Sequence, residues 1–292
     1  MGVGRMLGSN SRIVAPGVLP ESNSAIIVGV KRRAPAVAGM FYPADPGELR
    51  DQLAGYLDAA RAEIKGAPVP KAMIAPHAGT IYSGPIAASA YARLESARSR
   101  IRRVVLLGPS HRVALRGIGA PSHDAFVTPL GDIALDRKSI DALLALPQVA
   151  IDDEAHRREH SLEVHLPFLQ LVLDRFELVP LVVGVASADD VARVLDACWG
   201  GDETLIVVSS DLSHYHDYST AKALDRETSD FIEQLEYERL TDDRACGVFP
   251  VRGLLRVARL RGMKARTVDL RNSGDTAGPR REVVGYGSYL VD

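Results

Sequence analysis

The sequence predicts an α/β protein with one mixed or mostly parallel central sheet and helices on both of its faces. Two observations lead to this class. Short β-rich segments alternate along the chain with longer segments of helical periodicity. Several of the β-rich segments contain runs that are apolar throughout rather than at alternate positions, as is typical of strands covered on both faces.

Six segments rich in Val, Ile and Leu are predicted to be strands. They are residues 71–76, 103–107, 178–183, 204–209, 266–270 and 283–290. Seven helical segments complete the pattern, several of them with a start signal such as Pro46 after Asp45, or Pro85 and Pro250 at first-turn positions. Their predicted ranges are 46–64, 85–94, 138–145, 161–176, 188–199, 219–240 and 250–260.

Length and charge narrow the classes of protein to consider. A chain of 292 residues fits one large domain, predicted at 34–292, preceded by a poorly ordered extension over residues 1–33. Its 35 basic and 37 acidic residues give a net charge of −2, so we expect neither nucleic acid nor a membrane surface as partner. Two cysteines cannot build a disulfide framework, and we expect a cytoplasmic protein with reduced thiols.

Three histidines each stand within a few residues of the carboxyl end of a different predicted strand. They are His77, His111 and His214. Ligands of open α/β sheets bind beyond the carboxyl ends of the strands, and neutral imidazoles bind zinc, copper, iron and nickel. The sequence therefore predicts a shared metal site, although each histidine taken singly is also typical of a surface or capping residue.

Two further side chains are candidates for the same site. Asp211, three residues before His214, can orient that imidazole for acid/base work, or it can cap a helix N-terminus. Cys246 lies just before the predicted helix at 250–260, where a helix N-terminus favours the thiolate; the alternative is a small buried hydrophobic residue. Cys198 is predicted to pack in the core.

The segment EHSLEVH, residues 159–165, contains two more histidines that could belong to a metal-binding motif. Its spacing excludes both the HExxH and the HxxEH zinc-protease motifs. His160 and Glu163 share one face of the predicted helix, so we expect both to be neighbours of the pocket, with His165 structural. The remaining histidines are expected to be structural or on the surface: His123, His156 and His216.

Seven ordered blocks carry a resemblance to a known family. They are RAPAVAGMFYP (33–43), APHAGTIYSGPIAASAY (75–91), LLGPSH (106–111), EHSLEVHLPFLQ (159–170), SSDLSH (209–214), ACG (245–247), and NSGDTAG with VVGYGSYLV (272–278 and 283–291). Together these blocks resemble the Memo family, the B protein of the AmmeMemoRadiSam system. The resemblance covers residues 34–292.

The resemblance implies a fold similar to that of the class III extradiol dioxygenases, which hold non-haem iron with two histidines and a glutamate. The pocket of Memo proteins is lined instead by two histidines and a cysteine, and these positions match His77, His111 and Cys246. Asp211 and His214 match an Asp-x-x-His motif of the family. His214 falls where the dioxygenases keep their acid/base histidine, so both residues are expected to be catalytic.

A thiolate in place of a carboxylate favours copper or zinc, with iron still an option. The resemblance therefore implies metal-dependent redox activity with copper or iron, without ring cleavage. One alternative is a non-catalytic adaptor that binds a peptide or small ligand in the same pocket, and another is zinc-dependent hydrolysis there. The expected partners are a small molecule or peptide, a functionally linked radical SAM protein, and a second copy of the chain in a homo-oligomer.

Overall fold

This computed structural model describes residues 1–2, 29–62 and 68–292 of the chain. Within these ranges no helix is long and apolar enough to cross a membrane. The predicted extension at 1–33 falls largely outside the described residues, and its disorder stays a prediction. The helices of the described part are α1 (Pro46–Arg61), α2 (Thr80–Tyr91), α3 (Arg137–Leu143), α4 (Asp153–Arg157), α5 (Leu166–Val172), α6 (Ala188–Ala197), α7 (Tyr218–Glu233) and α8 (Val248–Leu260).

The strands form one large sheet and one small one. They are β1 (Arg32–Arg33), β2 (Ala72–Ala75), β3 (Arg103–Pro109), β4 (Ile118–Ala120), β5 (Ala125–Thr128), β6 (Gly131–Ala134), β7 (Val149–Ile151), β8 (Glu177–Val183), β9 (Thr204–Ser209), β10 (His214–His216), β11 (Ala265–Asn272) and β12 (Val283–Val291). The large sheet has the order β10-β12-β2-β9-β3-β8-β4-β7, with β11 along the other side of β12, and the small sheet has the order β1-β5-β6.

The large sheet is mixed, as predicted. Its centre, β2-β9-β3-β8, is parallel, while β12 and β4 join the two sides of this centre in antiparallel orientation. Strands β2 and β9 are buried at every position, and their sequences accordingly show no polar alternation: β2 is wholly apolar, and β9 has polar residues only at its two ends. The predicted α/β class is confirmed.

Helices cover both faces of this sheet. The connection from β2 through α2 to β3 steps across β9 in one direction, whereas the connection from β8 through α6 to β9 steps across β3 in the other. Crossovers between parallel strands are right-handed, so opposite steps place α2 and α6 on opposite faces. Helices α1 and α5 pack against α2, and α8 packs against α6.

All six predicted strands are present, with small shifts at their ends, but three helix predictions need correction. The segment 161–176 forms only a 3₁₀ turn, Glu163–His165, followed by α5. Its first residues are held in another conformation, because the Ser161 hydroxyl bonds the Pro109 carbonyl. Pro167 then lies in the first turn of α5, where its missing N–H costs nothing.

The other two corrections concern helix ends. Helix α2 begins at Thr80, before the predicted start at Pro85, so the proline lies inside the helix. Helix α7 ends at Glu233 instead of 240, because Leu235 has a left-handed backbone with φ of 56°. A left-handed residue ends an α-helix, and nothing in a Leu side chain signals it in advance.

Candidate metal centre

The carboxyl ends of three neighbouring parallel strands meet at one edge of the large sheet. Strands β2, β9 and β3 lie side by side in that order. The second residue after each of them is a candidate from the sequence: His77 after β2, Asp211 after β9 and His111 after β3. The parallel register therefore brings together side chains that are up to 134 residues apart in sequence.

Three imidazoles converge at this edge. One ring nitrogen of each of His77, His111 and His160 lies within 4.8 Å of the other two, so the group can hold a metal ion. The rings are close, with centroid separations of 5.1 Å between His77 and His111 and 4.6 Å between His111 and His160. The third member is thus His160, which the sequence placed only as a neighbour of the pocket.

His160 reaches the cluster because the segment 159–162 packs directly on the end of β3. A Cβ on Gly108 would lie 2.8 Å from Ser161 Oγ and 2.9 Å from Leu162 Cδ2, so only glycine permits this approach. Phe41 packs on the other side, with its ring centroid 4.7 Å from that of His160. The buried Nδ1 atom of His160 lies 3.2 Å from Oε1 of Glu159, but the contact lacks the geometry of a hydrogen bond.

Glu159 holds His111 in place. Its Oε2 accepts the backbone N–H of His111 at 2.6 Å, and its Oε1 lies 2.9 Å from Nδ1 of the same residue. The backbone N–H groups of His160 and Ser161 also donate to Oε1, both at 2.9 Å. Burial alone would raise the pKa of Glu159, but the hydrogen bond with His111, the nearby His160 ring and these N–H groups hold it far below its usual value. An ionised carboxylate at Nδ1 leaves Nε2 of a neutral His111 as the free lone pair.

His77 is fixed from two sides. Its backbone N–H donates to Asp211 Oδ1 at 2.8 Å, and its Nδ1 lies 2.5 Å from the hydroxyl of Ser209. Burial lowers the pKa of His77 well below its usual value, so the ring is neutral as a metal ligand requires. Its Nε2 atom faces the Cys246 sulfur at 3.4 Å.

Cys246 lies beside the histidines, two residues before α8. The backbone N–H of Asp211 approaches its sulfur to 3.2 Å. Burial, and then the nearby Asp211 carboxylate, raise the pKa of the Cys246 thiol, so without a cation the protonated form is favoured. The thiol contacts His77 but lies outside the group of three histidines, and its predicted role as a metal ligand stays a prediction.

The predicted pairing of Asp211 with His214 is not what the structure shows. The Nδ1 atom of His214 lies 2.8 Å from the carbonyl of Leu212, while the Asp211 carboxylate binds the backbone of His77. Burial raises the pKa of Asp211, and the nearby His214 partly offsets this. The carbonyl of Leu212 therefore orients His214, and Asp211 shapes the loop that carries His77.

Glu163 is the one predicted pocket neighbour that lies elsewhere. Its carboxylate is fully buried and binds Arg33 Nη1 at 2.5 Å, the Tyr42 hydroxyl at 2.6 Å and the backbone N–H of Val37 at 2.9 Å. The expectation failed because it assumed helical geometry, in which Glu163 would share a face with His160. The 3₁₀ turn instead directs Glu163 towards the segment 33–42.

Cys198 and three of the remaining histidines, His123, His156 and His165, have the structural roles that were predicted. Cys198 is buried in the core, and burial raises the pKa of its thiol to about 11. His165 and His156 are buried and bonded to protein groups, and His123 lies 3.3 Å from the Asp153 carboxylate.

Two side chains that support the site were not identified from the sequence, Glu159 and Ser209. A glutamate directly before a pocket histidine is one available signal for Glu159. Ser209 had no signal, because a serine at the end of an apolar strand is common.

This fold and this site define a class: an α/β protein with a candidate three-histidine metal centre at the carboxyl edge of its parallel strands. The family model described as Memo-like protein matches residues 33–290. The chain belongs to the Memo family, and its architecture agrees with the dioxygenase-like fold that the sequence blocks implied.

Curated relatives are similar in sequence to this chain over most of their length. A MEMO1 family protein of Aquifex aeolicus is 40% identical over 268 residues, which cover 87% of this chain and 97% of that protein. A MEMO1 family protein of Saccharolobus solfataricus is 34% identical over 280 residues, with the same coverage of 87% and 97%. Among solved structures, an uncharacterized protein from Escherichia coli K12 has a TM-score of 0.50 at 14% identity, covering 76% of this chain and 100% of that one; this likeness concerns the fold alone.

Proposed function

We propose that this protein is a metal-dependent oxidoreductase that binds copper or iron at His77, His111 and His160. The observation that carries the proposal is the convergence of three imidazole nitrogens within 4.8 Å of one another. Two of the rings are anchored through Nδ1 by Ser209 and Glu159, which supports metal binding through Nε2. A bound copper or iron ion would supply one-electron redox chemistry, and three imidazoles beside a thiol suit either metal.

The thiol of Cys246 supports the redox assignment over ring cleavage. It lies 3.4 Å from Nε2 of His77, the atom that faces the site. A cation at the histidines would stabilise the thiolate and offset the burial that keeps the thiol protonated. We propose that Cys246 joins the three histidines as a fourth ligand or lies next to the ion.

Proton transfer is assigned to His214. Its Nδ1–H donates to the Leu212 carbonyl, so in the neutral ring Nε2 is free to accept a proton from a bound ligand. The buried Asp211 carboxylate lies close enough to His214 for that ring to oppose the effect of burial on the pKa of Asp211. We assign His214 as the acid/base residue and Asp211 as its electrostatic support.

A second candidate function, binding without catalysis, is favoured by a groove whose lining includes Arg112, the residue after His111. The groove has a volume of about 510 Å³, and its charged lining consists of Arg112, Arg158 and the Arg157–Glu154 ion pair. Arg112 and Arg158 directly neighbour His111 and Glu159 in the sequence, and within the described residues neither forms an ion pair. This groove can bind a peptide or small molecule with an acidic group, as an adaptor would require.

Metal analysis of the purified protein, before and after reconstitution, tests the first proposal. We expect about one copper or iron ion per chain and at least a tenfold loss of affinity in His160→Ala, because one of three ligands is removed. His123→Ala is the matched control, since it removes a histidine outside the cluster. Absence of stoichiometric metal from the reconstituted wild-type protein would overturn the proposal.

Turnover assays distinguish three functions for the site: redox catalysis, hydrolysis and binding without catalysis. Oxygen- or thiol-dependent redox turnover that is lost in His214→Gln supports the oxidoreductase. Zinc retention with hydrolysis of an ester or amide supports a hydrolase instead. Unchanged binding of a peptide by His160→Ala, with no turnover of any substrate, supports the binding function.

A further inference from the structure

Ser209 is the last residue of β9 and is fully buried behind His77. Its hydroxyl oxygen has three close polar neighbours. They are Nδ1 of His77 at 2.5 Å, Nε2 of His165 at 2.8 Å and the carbonyl oxygen of Ser161 at 2.6 Å. All four residues are buried, so the hydrogen bonds among them are not exchanged with water.

The number of protons available decides the direction of each of these bonds. A hydroxyl donates one proton and accepts two, and a carbonyl only accepts. The Ser209 proton must therefore go to the carbonyl of Ser161. Both imidazoles must then donate to Ser209, so His77 carries its proton on Nδ1 and His165 carries its proton on Nε2.

The far side of His165 agrees with this assignment. Its Nδ1 lies 2.7 Å from the hydroxyl of Tyr91. A neutral His165 that carries its proton on Nε2 has a bare Nδ1, which accepts the Tyr91 proton. Burial lowers the pKa of His165 to about 3, so the neutral ring is the relevant form. The series of hydrogen bonds that runs from Tyr91 through His165 and Ser209 to His77 therefore has a single arrangement of protons.

We propose, on the basis of the metal site proposed above, that Ser209 is a positioning residue that sets the tautomer of His77. Its hydroxyl holds the proton of His77 on Nδ1 and leaves Nε2 as a bare lone pair. That atom faces the Cys246 sulfur at 3.4 Å, so its lone pair points into the site. His165 and Tyr91 support Ser209 from behind and do not touch the site.

The tautomer can be read in the metal-free wild-type protein by ¹⁵N NMR of histidine-labelled samples, with the His77 signals assigned from a His77→Gln spectrum. We expect a protonated Nδ1 and a bare Nε2 on His77, and the reverse arrangement on His165. A His77 ring that carries its proton on Nε2 would overturn the proposal. This measurement needs no metal, so it remains decisive if the protein binds none and the proposed function fails.

The variant Ser209→Ala tests the consequence for binding, with zinc as the probe in a competition titration. We expect a 10- to 100-fold loss of zinc affinity and a His77 spectrum shifted towards the Nε2-protonated form. Ser288→Ala is the matched control, because Ser288 in β12 is equally buried and bonds the Ile86 carbonyl. Wild-type zinc affinity and an unchanged tautomer in Ser209→Ala would contradict the role of Ser209, as would equal losses in both variants.

Discussion

Glu159 binds His111 through both oxygens of its carboxylate, one at the backbone N–H (2.6 Å) and one at ring Nδ1 (2.9 Å). The same carboxylate accepts two more backbone N–H groups, from His160 and Ser161. One buried acid thus fixes two of the three converging histidines, one through its ring and both through their backbone.

Glu159→Gln should therefore weaken metal binding by 10- to 100-fold. An amide places an NH₂ group against one of the N–H donors that now face a carboxylate, so the segment 159–161 and the ring of His111 both lose their support. Competition titration with a chromogenic chelator measures the loss. Wild-type affinity in this variant would show that His111 needs no carboxylate to bind metal.

The buried ion pair of Glu163 with Arg33 predicts a large loss of stability when Glu163 is replaced. Glu163→Gln leaves the guanidinium of Arg33, only 4% exposed, without its counter-charge. Breaking a buried pair in this way costs about 3–5 kcal/mol of unfolding free energy. Urea denaturation measures the cost.

Glu154→Gln is the control for this prediction, because it breaks the exposed pair with Arg157 and should barely move the denaturation midpoint. Equal effects of the two variants would contradict the stabilising role assigned to Glu163.

Gly247 permits the close approach of the Cys246 loop to β9. A Cβ at this position would lie 2.3 Å from the backbone oxygen of Ser209 and 2.7 Å from Cβ of Ser210. Gly247→Ala should lower the free energy of unfolding by about 1–3 kcal/mol and move the Cys246 thiol away from His77, because the backbone of β9 cannot shift to make room for the new Cβ. Its reaction with a thiol reagent should become faster.

Gly55→Ala provides the comparison for Gly247→Ala, since a Cβ there meets nothing within 4 Å. An alanine inside α1 should stabilise the protein by about 0.5–1 kcal/mol and leave the rate of thiol modification unchanged. A slower or unchanged thiol reaction in Gly247→Ala would show that the loop does not depend on this contact.

His156 predicts a loss of stability in acid. Burial lowers its pKa to about 4, and its Nε2 binds the Gly119 carbonyl at 2.9 Å. The unfolded chain takes up a proton at this residue near pH 6.5, whereas the native state does so only near pH 4. Stability therefore falls as the pH falls through this window, by about 1.4 kcal/mol per unit for this group.

Replacing His156 by Gln removes that titration and keeps a donor for the Gly119 carbonyl. Between pH 7 and 5 the free energy of unfolding should fall by about 2 kcal/mol less in His156→Gln than in the wild type. Urea melts of both proteins at several pH values give the difference. Parallel pH profiles would contradict a buried, neutral His156.

Much of this protein was determined by the sequence alone. Apolar runs separated by helical periodicity gave the α/β class, and the carboxyl ends of parallel strands located His77 and His111 at one edge. These predictions succeed because the burial of a strand and the order of strands and helices are visible in short stretches of sequence. Cys246 was also correctly expected near this edge, from the resemblance to the Memo family.

Only the tertiary structure decided which side chains complete the site. The helical periodicity of residues 161–176 predicted a helix, and in that helix both Glu163 and His160 would be neighbours of the pocket. The hydroxyl of Ser161 and the packing of this segment on Gly108 broke that helix, so His160 entered the cluster and Glu163 turned to Arg33. Such contacts join residues about 50 to 130 positions apart, and no local pattern of one sequence encodes them.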